Sequence, residues 1–172
     1  MHAFEPNSRM TALLERGLSV TGFSQRVHIN QLALGAENEG EAALVVPPGD
    51  PKYAYILPLN LHLPEHATTV PLARLGGRPD WSAIEPAKVD VEGAEQMIWA
   101  GAQGLLDNGK LKIVVLEFTA GRYPDPAAFL RSLLAPGFSL AYIDLARGIV
   151  ATTPTWVLEQ DPHVDIMLLL RR

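Results

Sequence analysis

Apolar positions along the chain switch between a period of two and a period near 3.6, and that alternation predicts an α/β layer fold. The opening His2-Ala3-Phe4-Glu5-Pro6-Asn7-Ser8 reads as the end of a strand running into a helix. Pro6 holds Glu5 extended, and Asn7 or Ser8 can cap the next helix. Met10, Leu13 and Leu14 give that helix its apolar spacing, and Gly17 is expected to stop it. Arg26 to Leu34 reads as a second strand, with Val27, Ile29, Leu32 and Leu34 apolar. Glu41 to Val46 reads as its hairpin partner after a turn near residues 38–40, and Pro47-Pro48-Gly49-Asp50-Pro51 breaks it. Residues 47 to 86 are rich in proline, as expected of a lid or binding loop, with a strand near Thr68 to Leu72.

The second half is more regular. Ala87 to Val91 reads as a short buried strand, and Glu92-Gly93-Ala94-Glu95 opens a helix. Met97, Ile98, Gly101, Ala102 and Leu105 form its apolar stripe, and Asp107-Asn108-Gly109 ends it. Ile113-Val114-Val115-Leu116 is an unbroken apolar run, the pattern of a parallel strand covered on both faces. Asp125-Pro126 caps and starts another helix that turns Phe129, Leu130, Leu133 and Leu134 to the core, up to Pro136-Gly137. Phe138 to Ile143, Ile149 to Thr152 and Val164 to Leu170 complete the sheet as an antiparallel edge. One domain accounts for all 172 residues.

Composition narrows the classes. With 48% hydrophobic and 19% charged residues the chain is globular rather than disordered. No run approaches the about 18–20 apolar residues of a membrane span, and no secretory signal opens the chain. The absence of cysteine removes a disulfide scaffold, a thiolate metal site and a cysteine nucleophile, and it fits a cytoplasmic setting. The net charge is −5, and no basic stripe suggests a nucleic-acid partner.

Candidate chemistry lies with acidic residues at strand ends: Glu5, Asp90 with Glu92, and Glu117. In open α/β sheets the ligand crevice forms at the carboxyl ends of strands, where a carboxylate commonly takes ribose hydroxyls. The plainer role of such residues is to complement a helix N-terminus. Asp90 and Glu92 are two apart, which on a strand puts both on one face, unless Glu92 already belongs to the turn; two such carboxylates can share a proton, bind a cation or orient a hydroxyl. His62-Leu63-Pro64-Glu65-His66 matches a zinc-peptidase pattern, but Pro64 forbids the helix that pattern needs, so no metal site is expected. No G-x-S-x-G elbow supports a hydrolase triad. Arg122-Tyr123-Pro124, after the Ile113 strand, is a candidate lining of an acceptor pocket or an exposed loop. The three tryptophans are expected in packing roles.

Four segments carry a family resemblance. His2 to Asn7 resembles the second-strand signature of the FkbM methyltransferase family, and Ala33-Leu34-Gly35 its third-strand end. Lys88-Val89-Asp90-Val91-Glu92-Gly93-Ala94-Glu95, followed by Ala100-Gly101-Ala102, resembles the family's most recognisable motif, and Val114-Val115-Leu116-Glu117 its fifth strand. They stand in family order and span nearly the whole chain. The resemblance implies a Rossmann-like methyltransferase fold, with a mostly parallel sheet and an antiparallel C-terminal edge. It implies transfer of a methyl group from S-adenosylmethionine to a hydroxyl on a sugar or secondary metabolite. Glu5 would bind the cofactor ribose, Ala33 and Leu34 would lie near the adenine, and Asp90 and Glu92 would sit beneath the methyl group and the acceptor. Two departures accompany it. The family's first strand and Gly-rich loop should precede Glu5, so the chain is expected to be N-terminally truncated, with open sheet edges that invite self-association. Gly76-Gly77 has no strand–helix context and is expected to be a turn. Ala73 stands where the family usually has an Asp. A degenerate methyltransferase fold that binds or assembles without catalysis is the alternative reading.

Overall fold

The computed structural model describes residues 1–37, 39–49, 53–77, 81 and 84–172. The chain begins with a strand–helix–strand unit: β1 (His2–Phe4), α1 (Ser8–Thr21) and β2 (His28–Asn30), with β1 and β2 parallel. Asn7 caps α1 by accepting the Arg9 N–H. The helix runs past Gly17, which costs only about 1 kcal/mol in a helix interior. It stops instead at Gly22, whose φ of +76° is left-handed and whose N–H reaches the carbonyls of Leu18 and Ser19.

The expected single strand from Arg26 to Leu34 is two strands in different sheets. The Leu32 N–H turns back to the Asn30 carbonyl, and the Asn30 amide donates to the carbonyls of Ala3 and His28. β2 therefore stays with β1, while β3 (Ala33–Gly35) joins a four-stranded sheet with β4 (Glu39–Val45), β5 (Tyr55–Leu57) and β6 (Thr68–Arg74) in the order β3-β6-β4-β5. β4 pairs with β5 and β6 rather than with the strand before it. Asn38 in the expected turn, and Asp50 and Pro51 in the expected break, lie outside the described residues. The stretch around His62 to His66 forms turns, not a helix, and Gly77 closes a turn onto the Arg74 carbonyl.

The third sheet has the order β10-β9-β11-β8-β7, built from β7 (Pro86–Val89), β8 (Ile113–Phe118), β9 (Ser139–Asp144), β10 (Gly148–Ala151) and β11 (Ile166–Arg171). Between β7 and β8 the chain crosses over through α2 (Glu95–Gly101) and α3 (Gln103–Asp107), where a single helix was expected. α4 (Pro126–Leu134) starts at the Asp125 cap with Pro126 in its first turn, and α5 (Pro154–Leu158) is capped by Thr153. The main core lies where α2 to α5 meet one face of this sheet: Val114, Leu116, Phe118, Leu168 and Leu170 are buried against Ile98, Leu105, Phe129, Leu130, Leu133 and Val157. Val115 and Glu117, on the other face, are only partly covered, and Ile113 is exposed. The expectation of a strand buried on both faces is thus corrected.

The mostly parallel sheet is corrected too. Among the described residues three strand pairings are parallel (β1–β2, β3–β6, β7–β8) and five are antiparallel. β11, an unbroken apolar run, lies antiparallel between β8 and β9. The expected antiparallel C-terminal edge is present in β9, β10 and β11. The architecture is α/β with mixed sheets. No helix among the described residues is long and apolar enough to cross a membrane.

Candidate active site

A cleft of about 600 Å³ opens between β1 and β7, and every residue of both strands lines it. Among the described residues each of these strands has one partner, β2 and β8 respectively, so two unpaired strand edges border the cleft. Glu5, Ala33, Leu34, Asp90 and Glu92 all contribute to its wall, as do His2, Met10 and Tyr55. The five residues singled out in the sequence therefore meet in one place, although they come from three different sheets.

Each reaches the cleft for a local reason. Glu5 follows β1, where Pro6 ends the ladder after the Glu5 N–H has bonded to the Asn30 carbonyl. One carboxylate oxygen accepts the Asn7 N–H at 2.7 Å, which fixes the side chain at the mouth of α1. Burial raises the Glu5 carboxyl above its ordinary pKa, and the Asn7 bond partly offsets that. Ala33 and Leu34 sit on β3, whose parallel register to β6 sets Leu34 opposite Ala73. Asp90 and Glu92 follow β7 in the turn before α2. Asp90 is ion-paired with Lys88.

Glu92 is held from outside the cleft. The Arg122 guanidinium donates through Nη2 to Glu92 at 2.9 Å and through Nη1 to Glu117 at 3.0 Å, and Asp165 stands 3.6 Å from Nη2. The Thr119 hydroxyl donates to Asp165 at 2.6 Å. Burial, with the nearby carboxylates Glu117, Asp165 and Asp90, raises the Glu92 carboxyl above its usual range, while Arg122 pulls it down. Arg122, Tyr123 and Pro124 do not line this cleft; Arg122 and Tyr123 instead bond to Glu92 and Glu95, and Pro124 is exposed. Ala54, Tyr55 and Ile56 do line the cleft, but Tyr55 and Ile56 belong to β5, so this part of the expected loop is a strand.

Glu95 was not singled out as a site residue from the sequence. It is 0% exposed. One oxygen accepts the N–H groups of Val91 and Gly93, each at 3.3 Å, and the other accepts the Tyr123 hydroxyl at 3.0 Å. The turn that carries Glu92 is thereby wrapped around a buried carboxylate, with Gly93 at φ +95°. Burial raises the Glu95 carboxyl, and burial together with the Glu95 charge raises the Tyr123 phenol, which therefore stays protonated as a donor. The available signal was a third acid within the motif, at a helix's first residue, where a carboxylate can turn back on the preceding N–H groups.

His2 adds a polar atom to the wall. Its ring stacks on His28 at 5.3 Å and near Phe4 at 6.3 Å, and its Nδ1 is buried without a hydrogen-bond partner. Phe4 in turn meets the buried Trp81 edge-on at 4.8 Å. A cleft of this size with a few convergent polar groups suits a small ligand.

No protein-family model matches the chain, and no curated protein matches it. Among solved structures the fold is similar to that of the methyltransferase FkbM from Methylobacillus flagellatus KT, with a TM-score of 0.52 and 17% sequence identity. The similarity covers 98% of this chain and 36% of that one, so the chain spans about a third of the length of the methyltransferase it resembles. The resemblance carried by four short sequence segments thus extends, as a likeness of fold, over nearly the whole chain.

Proposed function

We propose that this chain serves S-adenosylmethionine-dependent methyl transfer to a hydroxyl on a sugar or secondary metabolite. The observation that carries this reading is the convergence of Glu5, Ala33, Leu34, Asp90 and Glu92 on one cleft. The likeness of fold to a methyltransferase supports it. S-adenosylmethionine, when bound, supplies an electrophilic methyl group on a sulfonium.

The residues present suit that ligand. Glu5 is half-buried, has one oxygen committed to Asn7, and offers acceptor capacity for paired hydroxyls. Ala33 and Leu34 give apolar wall. Glu92, partly desolvated and paired with Arg122, can in its ionised form accept the proton of an acceptor hydroxyl as the oxygen becomes nucleophilic. A carboxyl raised by burial is a better base than an exposed one. Asp90, neutralised by Lys88, can orient the same acceptor. The remaining contribution is positioning, by a turn fixed at Glu95 and Arg122. A cytoplasmic setting, a small-molecule or saccharide acceptor and association through open strand edges belong to the same proposal.

Calorimetric titration of S-adenosylmethionine into this chain, and into a version extended upstream in its reading frame, tests it. Binding by either is expected, and Glu5→Ala should weaken it by about tenfold or more, the usual consequence of losing charge-assisted hydrogen bonds. No binding by either form, or undiminished binding by the Glu5→Ala variant, overturns the reading.

A further inference from the structure

We propose that Arg122 is a positioning residue that holds the Glu92 carboxylate in place at the cleft by taking Glu92 and Glu117 in one guanidinium fork. The role given to Glu92 rests on the function proposed above. The geometry of the fork does not.

Arg122 ends the 3-10 turn Ala120–Arg122 that follows β8, on the side of Glu92 away from the cleft. Its two terminal nitrogens engage different acids, 2.9 Å to Glu92 and 3.0 Å to Glu117, so the planar group sets the angle between them as well as their charge. The turn is itself immobilised. The Gly121 N–H donates to the Pro162 carbonyl at 2.7 Å, and a Cβ on Gly121 would lie 2.9 Å from that oxygen. The next residue, Tyr123, is buried and bonded to Glu95. The neighbouring side chains Arg122 and Tyr123 thus reach across to Glu92 and Glu95 of the Asp90–Glu95 segment.

The charges facing Glu92 make Arg122 hard to replace. From β8 comes Glu117, from the segment before β11 comes Asp165, and from its own turn comes Asp90. Lys88 is committed to Asp90, and the Tyr123 hydroxyl to Glu95. Without Arg122, Glu92 would face Glu117, Asp165 and Asp90 with no opposing cation placed on it. The carboxyl would then hold its proton to higher pH and lose its fixed direction.

The test is a ¹³C-carboxyl NMR titration of Glu92 in the 172-residue chain as wild type, Arg122→Gln and Arg122→Lys, with thermal melts to confirm folding. In Arg122→Gln the Glu92 midpoint should rise by about one pH unit, the lower end of the effect of an adjacent opposite charge. Arg122→Lys should give a smaller rise, because lysine keeps the charge but cannot fork. An unchanged midpoint in a folded Arg122→Gln variant overturns the proposal. If that variant does not fold, Arg122→Lys decides, and an unchanged midpoint there rules out the fork. Failure of both the 172-residue chain and its upstream-extended form to bind S-adenosylmethionine would end the methyl-transfer reading and leave the Glu92 titration to judge Arg122 independently.

Discussion

Glu95 shows how much one side chain can fix. Among the described residues it is the only acidic side chain with no exposed surface, and all three of its donors come from the two segments that support the cleft. Its burial has a definite pH signature. The folded carboxyl titrates above its unfolded value, so the folded state holds the proton more tightly, and the stability gained from this is lost as pH rises from the unfolded pKa through the folded one. Glu95→Gln keeps the shape and removes the titration. The variant should therefore gain on the wild type as pH rises above about 4.5, a trend that denaturant unfolding across pH 4 to 8 would show. A difference between the two proteins that is flat with pH contradicts this account. Tyr123→Phe, by contrast, strips a donor from a buried carboxylate and should cost about 1–3 kcal/mol at neutral pH. The motif residues that face the cleft, Asp90 and Glu92, were legible in the sequence, because acids at a strand end have a recognisable place in an α/β fold. Arg122 was singled out only as a candidate pocket lining, and its hold on Glu92 was not legible, because its partners Glu92, Glu117 and Asp165 lie on three separate segments and only the folded chain brings them to one guanidinium.

Elements were legible where their determinants are local. The Asn7 and Asp125 caps, Pro126 at a helix start and β6 at Thr68–Arg74 need only neighbours within a few residues, and each is found where the pattern put it. Pairing was not legible, because it depends on which distant strand is available. The run from Arg26 to Leu34 reads as one strand, yet Asn30 turns it and shares its halves between sheets. Gly101 marks the same limit. In the sequence it is a small residue on a helical stripe, where alanine should improve the helix by roughly 1 kcal/mol. In the structure α2 is pressed so closely onto β3 that a Cβ on Gly101 would stand 2.0 Å from the Gly35 carbonyl oxygen and 3.1 Å from the Arg74 Cβ. Both obstacles are stiff parts of strands and cannot swing aside. Gly101→Ala should therefore destabilise by about 1–3 kcal/mol, the cost of overpacking, and should shift α2 away from the cleft that Ile98 helps to line. Equilibrium unfolding decides the sign, and a stabilised variant would mean that α2 and β3 are less closely packed than described.

At the scale of the whole molecule, the α/β class followed from alternating periods, but the direction of the strands did not. An unbroken apolar run such as Ile166 to Leu170 marks a strand in the interior of a sheet without saying which way its neighbours run. Here Val115 and Glu117 on the second face of β8 are only partly covered, and the strands close antiparallel, leaving β10 as an outer edge among the described residues. That edge is where association should act. β1 and β7 also have open edges, but both border the cleft. β10 pairs only with β9 among the described residues, carries Ile149 at 56% exposure, and follows a hairpin tip where Leu145 is fully exposed. Arg147, bonded to Asp144 and resting over the Tyr142 ring, guards the tip with charge, yet no charged side chain lies on β10 itself. An edge that offers free backbone groups beside apolar side chains is a template for a second strand, and a lysine is the usual protection against it. Sedimentation velocity should therefore show a mass that rises with concentration for the wild type and much less so for Ile149→Lys. The melting temperature should hardly change, since an exposed substitution is worth about 0.5 kcal/mol or less. Equal association by the two proteins would move the contact away from β10, toward the edges at the cleft, where it would compete directly with ligand.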